Sequence, residues 1–427
     1  MNAQEMAANA RTYLGYGYLP PKDLPVWMPT ACGAQEGVFD HSLRGAVALL
    51  DELFDRLTAK VAPPYIVPIS GGWDSRLILA ALRERTDKIV AVTFGDPGQL
   101  DYEIGARVAD VAQVNHVALR LSQTMVDWNV LKDSAYAAPW TYMPDAFFNS
   151  AAYERGRRSA GPGASAWSGF LGDPLTGGHY REGTERESPA KANEWFAQSQ
   201  RRVDPQYIGS PEVPTPHLPA PSDWHAPCGE REWLDFSVRQ RGCIAPIVLG
   251  CPWQDWRSEQ GVGWAGLPMV TPFANVEWAS YWLHAPRHLH KGQWLYRQMA
   301  EARFPTLFGL PSKYTWGVAK HQRALQRTLR LQHGIRNRIH RRFPSLPIRS
   351  RVMDNYIDFQ RAFRQRDDYI SVMEQAIAVL KQHEATPWLD LESIWDEHYR
   401  GKHDHSPALK ILLGLAVNLD ANGLKSP

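Results

Sequence analysis

The sequence predicts an α/β protein built on a doubly wound parallel sheet, with a mostly helical C-terminal region. Three observations carry that expectation. Short apolar runs at 65–69, 88–94 and 115–121 alternate with segments of helical period, as βαβ units require. The first run ends in a glycine-rich turn, SGGWDS, that opens a helix. The chain of 427 residues exceeds the usual single core, and 44% hydrophobic against 22% charged residues is ordinary globular composition.

In chain order, residues 1–40 are rich in Pro, Gly and Tyr without a sustained period, and an irregular lead-in is expected there. Residues 41–60 (HSLRGAVALLDELFDRLTAK) have apolar residues at helical spacing. YIVPI at 65–69 reads as a buried strand, although Pro68 removes a ladder donor. LILAALRER at 77–85 is helical, KIVAVTF at 88–94 a second strand, 102–114 a helix, and 115–121 a third strand. From Pro205 to Pro227 seven prolines imply a loop, either a lid over a cleft or a surface excursion. Beyond Glu230 the chain is Trp-rich and helical in pattern, ending in a helix at 407–419. The expected division is a lead-in at 1–40, a nucleotide-binding core at 41–200, a Pro-rich loop at 201–230, and a helical region at 231–427 that completes the site.

Composition excludes several classes. Cys32, Cys228, Cys243 and Cys251 are widely spaced, which suggests neither a disulfide framework nor a four-thiolate zinc site. The first residues lack the charged start and apolar run of a secretory signal. No stretch approaches the about 18 apolar residues of a membrane span. The expectation is a cytoplasmic protein with no membrane span.

The chemistry is concentrated at the SGGWDS turn. A buried strand feeding a Gly-rich turn and a helix start is an anion site, because turn amides and the helix N-terminus point at the bound group. Ser70, Gly71, Gly72, Asp74 and Ser75 are the candidate pyrophosphate-binding residues. Both hydroxyls can donate, and the glycines allow close backbone approach. Asp74 would repel bare phosphate, so a magnesium ion between carboxylate and phosphates is expected. The GxxxxGK[ST] pattern of a Walker loop is missing.

In these residues the chain resembles the N-type ATP pyrophosphatases, the PP-loop family, whose SGGxDS loop grips the pyrophosphate of ATP. A second segment, SGFLGDPLTGGHY at 168–180, is similar to the SGxGxDExFGGY segment of the asparagine synthetase and β-lactam synthetase group. The resemblance implies an adenine nucleotide alpha hydrolase-like fold. It also implies Asp74 and Asp173 as magnesium ligands, with Gly169 and Gly172 at the nucleotide. A third match runs through MVTPFANVEW, KGQWLYRQMAEARFP and LPSKYTWG, and implies that Lys313 contacts the α-phosphate and the reacting carboxylate. Such a cation is worth most where charge develops in the transition state.

The chain also departs from that group. Residue 2 is Asn where a glutaminase domain would present its nucleophilic Cys, and only some sixty residues precede the loop, so no glutaminase activity is expected. Phe170 stands where asparagine synthetases carry Glu and β-lactam synthetases Tyr, and a phenyl ring transfers no proton. Pro174 and PMVTPF replace further acidic positions. The nucleotide half is kept and the acceptor half has diverged, as in specialised metabolism.

The expected activity is ATP-dependent amide formation. A small-molecule or peptide carboxylate becomes an acyl-adenylate with release of pyrophosphate, and an amine or ammonia then displaces AMP. The nitrogen comes from within the substrate, from solution, or from a separate glutaminase or carrier partner. Two alternatives stand beside it: a PP-loop sulfur or nitrogen transferase acting on a nucleic-acid base, and an inactive synthetase-like binding subunit. Residues 318–351 hold nine arginines, one lysine and no acid, so they are either a solvated face or a contact for an anionic partner. His398, His403 and His405 around Asp404 are read as a surface helix end rather than a zinc site.

Overall fold

The computed structural model describes residues 3–17, 19, 39–137, 140, 143–178, 203–209, 267–342 and 357–422. Along these, α1 (Ala3–Tyr16) and α2 (Leu43–Lys60) precede β1 (Tyr65–Pro68). Then come α3 (Asp74–Arg83), β2 (Ile89–Gly95), α4 (Leu100–Val111), β3 (Asn115–Arg120), α5 (Trp128–Ala137), α6 (Met143–Ala160), β4 (Ser165–Trp167) and α7 (Gly172–Thr176). The later residues add β5 (Met269–Val270), α8 (Val276–Leu283), α9 (Trp294–Arg303), α10 (Arg323–Arg342) and α11 (Phe359–Gln365). They end with α12 (Asp367–Gln382), α13 (Leu391–Tyr399) and α14 (Ser406–Asn422).

All five strands are parallel, in the order β3-β2-β1-β4-β5. Strand alternation sends side chains to two separate cores. Tyr65, Val67, Ile89 and Ala91 bury against α2, α3, α4 and α9, whereas Ile66, Val90 and Val92 bury against α6 and the C-terminal helices. Helices therefore cover both faces, which is why the strands read as continuous apolar runs. The expected α/β class is observed.

Element positions follow the sequence closely, with differences at the ends. Ser42 caps α2 by accepting the Gly45 N–H at 3.1 Å, so that helix starts at Leu43. α3 begins at Asp74, ahead of the expected 77–85 span, which places the Asp74 side chain in the first helical turn. Pro68 is accommodated because Tyr65 and Ile69 donate toward β2, so the alternate residue faces β4. The β1–β4 register has already ended at Ile66 and Ala166.

The expected irregular lead-in is corrected: residues 3–16 are helical. Ala10, Tyr13 and Leu14 are buried in the core that includes α14, so tertiary packing supplies what local periodicity did not advertise. His398 is also not at a surface; it is fully buried, and its Nδ1 accepts the His405 N–H at 3.1 Å. His405 in turn bridges the Tyr207 hydroxyl (2.6 Å) and Glu397 (2.8 Å), fastening the 203–209 segment to the C-terminal helices. The Pro-rich stretch beyond residue 209, residues 231–266 and all four cysteines lie outside the described residues.

Candidate functional site

β1 is the point where the sheet order reverses. The chain winds from it to β2 and β3 on one side and to β4 and β5 on the other. Crevices at the carboxyl ends of strands at such a point are the usual ligand sites of open α/β sheets. Both motifs emerge there, SGGWDS after β1 and SGFLGD after the adjacent β4. The third arrives from the C-terminal region, since the Lys313 N–H donates to the Gly71 carbonyl at 3.0 Å.

The loop is held by its own side chains. The Ser70 N–H donates to Ser75 Oγ (3.3 Å), and the Gly72 N–H to Ser70 Oγ (3.2 Å). The Gly71 N–H donates to Asp101 Oδ1 at 2.7 Å. A Cβ on Gly71 would stand 2.8 Å from that oxygen and 3.4 Å from Lys313 Cβ, so only glycine fits between them. The Gly71 amide therefore serves Asp101, contrary to the expectation that turn amides all face a ligand. The other donors gathered at the turn are the first-turn amides of α3, the Ser70 and Ser75 hydroxyls, and Lys313. Lys313 Nζ lies 3.7 Å from where a Gly72 Cβ would be.

Asp74 and Asp173 are brought together. A Cβ on Gly172 would fall 2.3 to 2.6 Å from the carboxyl atoms of Asp74, so the missing side chain is the space this carboxylate occupies. Gly169 is similarly close, its Cβ position 3.1 Å from Asp74 Cβ. Tyr296 donates to Asp74 Oδ1 at 2.7 Å, and Gln293 (3.2 Å) and Tyr314 (3.4 Å) donate to Asp173 Oδ1. As whole residues both aspartates keep some solvent contact, yet the Asp74 carboxyl is densely surrounded. Burial pushes its pKa well up, and the nearby Asp173 adds to this; the Tyr296 bond and Lys313 oppose it. Burial likewise raises the Tyr296 and Tyr314 phenols, which keeps them protonated as donors.

Arg76 locks the loop to the lysine segment. Fully buried, it donates to the carbonyls of Leu307 (3.1 Å), Leu310 (3.2 Å) and Pro311 (2.8 Å), just ahead of Lys313. Burial lowers its pKa to about 10, which leaves it a cation at neutral pH. Trp73 packs edge-on against Phe308, and the Arg297 guanidinium lies 4.8 Å over the Trp73 ring. Phe170 packs against the apolar core and Pro174 is buried.

Ser70, Gly71, Gly72, Asp74, Ser75, Gly169, Gly172, Asp173 and Lys313 thus converge on one locus. Sequence reading missed Asp101, Arg76, Gln293, Tyr296 and Tyr314. Gln293 stands in left-handed backbone just ahead of α9 and Tyr296 within that helix, so no helical period links the pair. Nothing local marks Asp101.

The donor set suits a hard divalent cation: adjacent carboxylate oxygens, one of them costly to ionise without a counter-charge. Among the described residues no group of three or more His, Cys, Asp or Glu is placed to hold a metal. The two carboxylates by themselves do not complete a cation site. No protein-family model matches this chain, and no curated protein matches it.

Proposed function

We propose that this chain is an AMP-forming, ATP-dependent carbon–nitrogen ligase of the asparagine synthetase-like PP-loop type, with the adenine nucleotide alpha hydrolase-like version of the α/β fold. The observation that carries this reading is the convergence of Asp74, Asp173 and Lys313 on the glycine turn between β1 and β4.

In this reading the α3 N-terminus and the hydroxyls of Ser70 and Ser75 hold the β- and γ-phosphates of ATP. Asp74 and Asp173 hold magnesium, which supplies charge neutralisation on the phosphates. Tyr296, Tyr314 and Gln293 fix the carboxylate orientations. A substrate carboxylate oxygen attacks the α-phosphorus, the bond to the bridging oxygen breaks, and pyrophosphate leaves. Lys313 stabilises the negative charge that gathers on the α-phosphate. An amine then attacks the acyl carbon of the mixed anhydride, AMP departs with the bonding electron pair, and the amine loses a proton as the amide forms. The apolar packing of Phe170 supports an acceptor chemistry unlike that of asparagine synthetases, because no proton-transferring group stands there.

The test is product analysis with magnesium, ATP and panels of carboxylates and amines. AMP and pyrophosphate are expected in equal amounts with the productive pair. Lys313→Ala is expected to keep nucleotide binding and lose at least about a hundredfold in turnover. ADP as the product would rule the class out.

A further inference from the structure

The basic stretch of the sequence folds into an element with no part in the site above. α10 has 20 residues, including seven arginines and no acid. Arg323, Arg327, Arg330, Arg336 and Arg338 are exposed, and none forms an ion pair with a described acidic side chain. The helix is nonetheless fixed to the body of the protein. The His333 ring lies 5.0 Å from Trp316, three residues past Lys313, and the Gln326 amide donates to the Ala319 (2.9 Å) and Lys320 (3.3 Å) carbonyls.

Gln326, Leu329 and His333 are half-buried, so they mark the inner side of the helix. At 3.6 residues per turn the opposite side carries Arg327, Leu331, Ile335 and Arg338 as one stripe. Leu331 is 68% exposed and Ile335 53%, an apolar pair one turn apart with an arginine at each end. The stripe is apolar at its centre and cationic at its ends.

We propose that this face of α10 docks an acidic amphipathic helix of a partner protein. Carboxylates of the partner pair with Arg327 and Arg338, and with Arg323 and Arg330 on the flank, in the forked geometry that guanidinium groups favour. Apolar side chains one turn apart cover Leu331 and Ile335. An RNA backbone satisfies the arginines but leaves the apolar pair uncovered, and α10 has no Phe, Tyr or Trp for base stacking. A lipid surface calls for a broad continuous apolar arc, and here arginines close the stripe after two residues. Docking on this face needs neither ATP nor metal and is independent of the nucleotide chemistry proposed above.

The experiment uses the full chain and a fluorescent synthetic helix with leucines one turn apart flanked by glutamates. Binding is followed by anisotropy at about 150 mM salt, where loose charge attraction is largely screened. A scrambled peptide of the same composition, an RNA duplex and phosphatidylserine–phosphatidylcholine vesicles are the competing probes. The patterned helix is expected to bind at least about tenfold tighter than the scrambled one. The pairs Arg327→Glu with Arg338→Glu, and Leu331→Ser with Ile335→Ser, are each expected to weaken it by about tenfold or more, with the circular dichroism unchanged. Equal binding of the scrambled peptide, indifference to both variant pairs, or tighter binding of RNA or vesicles through the same residues would overturn the proposal.

Discussion

Asp74 can sit where it does only because residue 172 is glycine. An added methyl group would stand within 2.6 Å of all three of its carboxyl atoms. Gly172→Ala is therefore expected to displace Asp74 from Asp173 and cut magnesium-dependent AMP formation by more than about tenfold, while the sheet survives. Activity near the wild-type level would show that the carboxylate has room elsewhere. Arg76 is the structural counterpart. Arg76→Met would take the guanidinium away from the Leu307, Leu310 and Pro311 carbonyls, leaving Leu307 with the backbone N–H of Leu310, and is expected to cost about 3 kcal/mol in urea denaturation. Arg76→Lys should recover part of that, because a single ammonium can still reach some of the oxygens.

At this scale the sequence was informative where a motif names its residues together. It was silent where partners come from far along the chain. Ser70 through Ser75 could be read as one anion loop because strand, turn and helix start are contiguous. Asp101 was invisible because it meets Gly71 only after the β1–α3–β2–α4 crossover has folded. Tyr296 reaches Asp74 across a sequence separation of 222 residues.

Among the elements, α14 binds the N-terminal part of the chain to the sheet's second face. Asn418, fully buried on it, accepts the Trp140 N–H at 2.6 Å and donates to the Tyr13 hydroxyl (3.3 Å) and the Gly414 carbonyl (2.8 Å). Asn418→Ala removes these three hydrogen bonds from the core and is expected to lower unfolding stability by about 2–4 kcal/mol. A change under about 0.5 kcal/mol would mean that α1 and the Trp140 turn are held by apolar packing alone. The strands and helices of the sheet were legible because burial on both faces imposes apolar runs bounded by turns. α1 was not, because its partner α14 lies at the other end of the sequence and its own stretch shows no sustained apolar period. Pro68 looked anomalous only while the end of the β1–β4 ladder was unknown.

For the whole molecule, acid sensitivity follows from buried histidine. Burial, as the largest cause, holds the His398 pKa down to about 4, and Arg364 adds to it; Asp404 opposes. The His405 N–H directed at His398 Nδ1 fits the neutral ring, so burial outweighs the acidic neighbour at 3.6 Å. The folded state binds fewer protons than the unfolded one between pH about 4 and 6.5. Its stability therefore falls as pH drops through that window and levels off below it. His290, also lowered to about 4 mainly by burial, acts in the same direction. The denaturation midpoint is expected to fall between pH 7 and 5, and a midpoint constant over that range would contradict the burial of these rings. No helix among the described residues is long and apolar enough to cross a membrane.

In the proposed function the turn after β1 grips the pyrophosphate end of ATP, with magnesium shared by Asp74 and Asp173. Calorimetric titration of ATP into the full chain tests this most directly, with and without magnesium and against Asp74→Asn and Asp173→Asn. Saturable binding is expected that requires magnesium, is displaced by pyrophosphate, and weakens by at least about tenfold in either variant. Binding of equal strength without the metal, or in both variants, would contradict it.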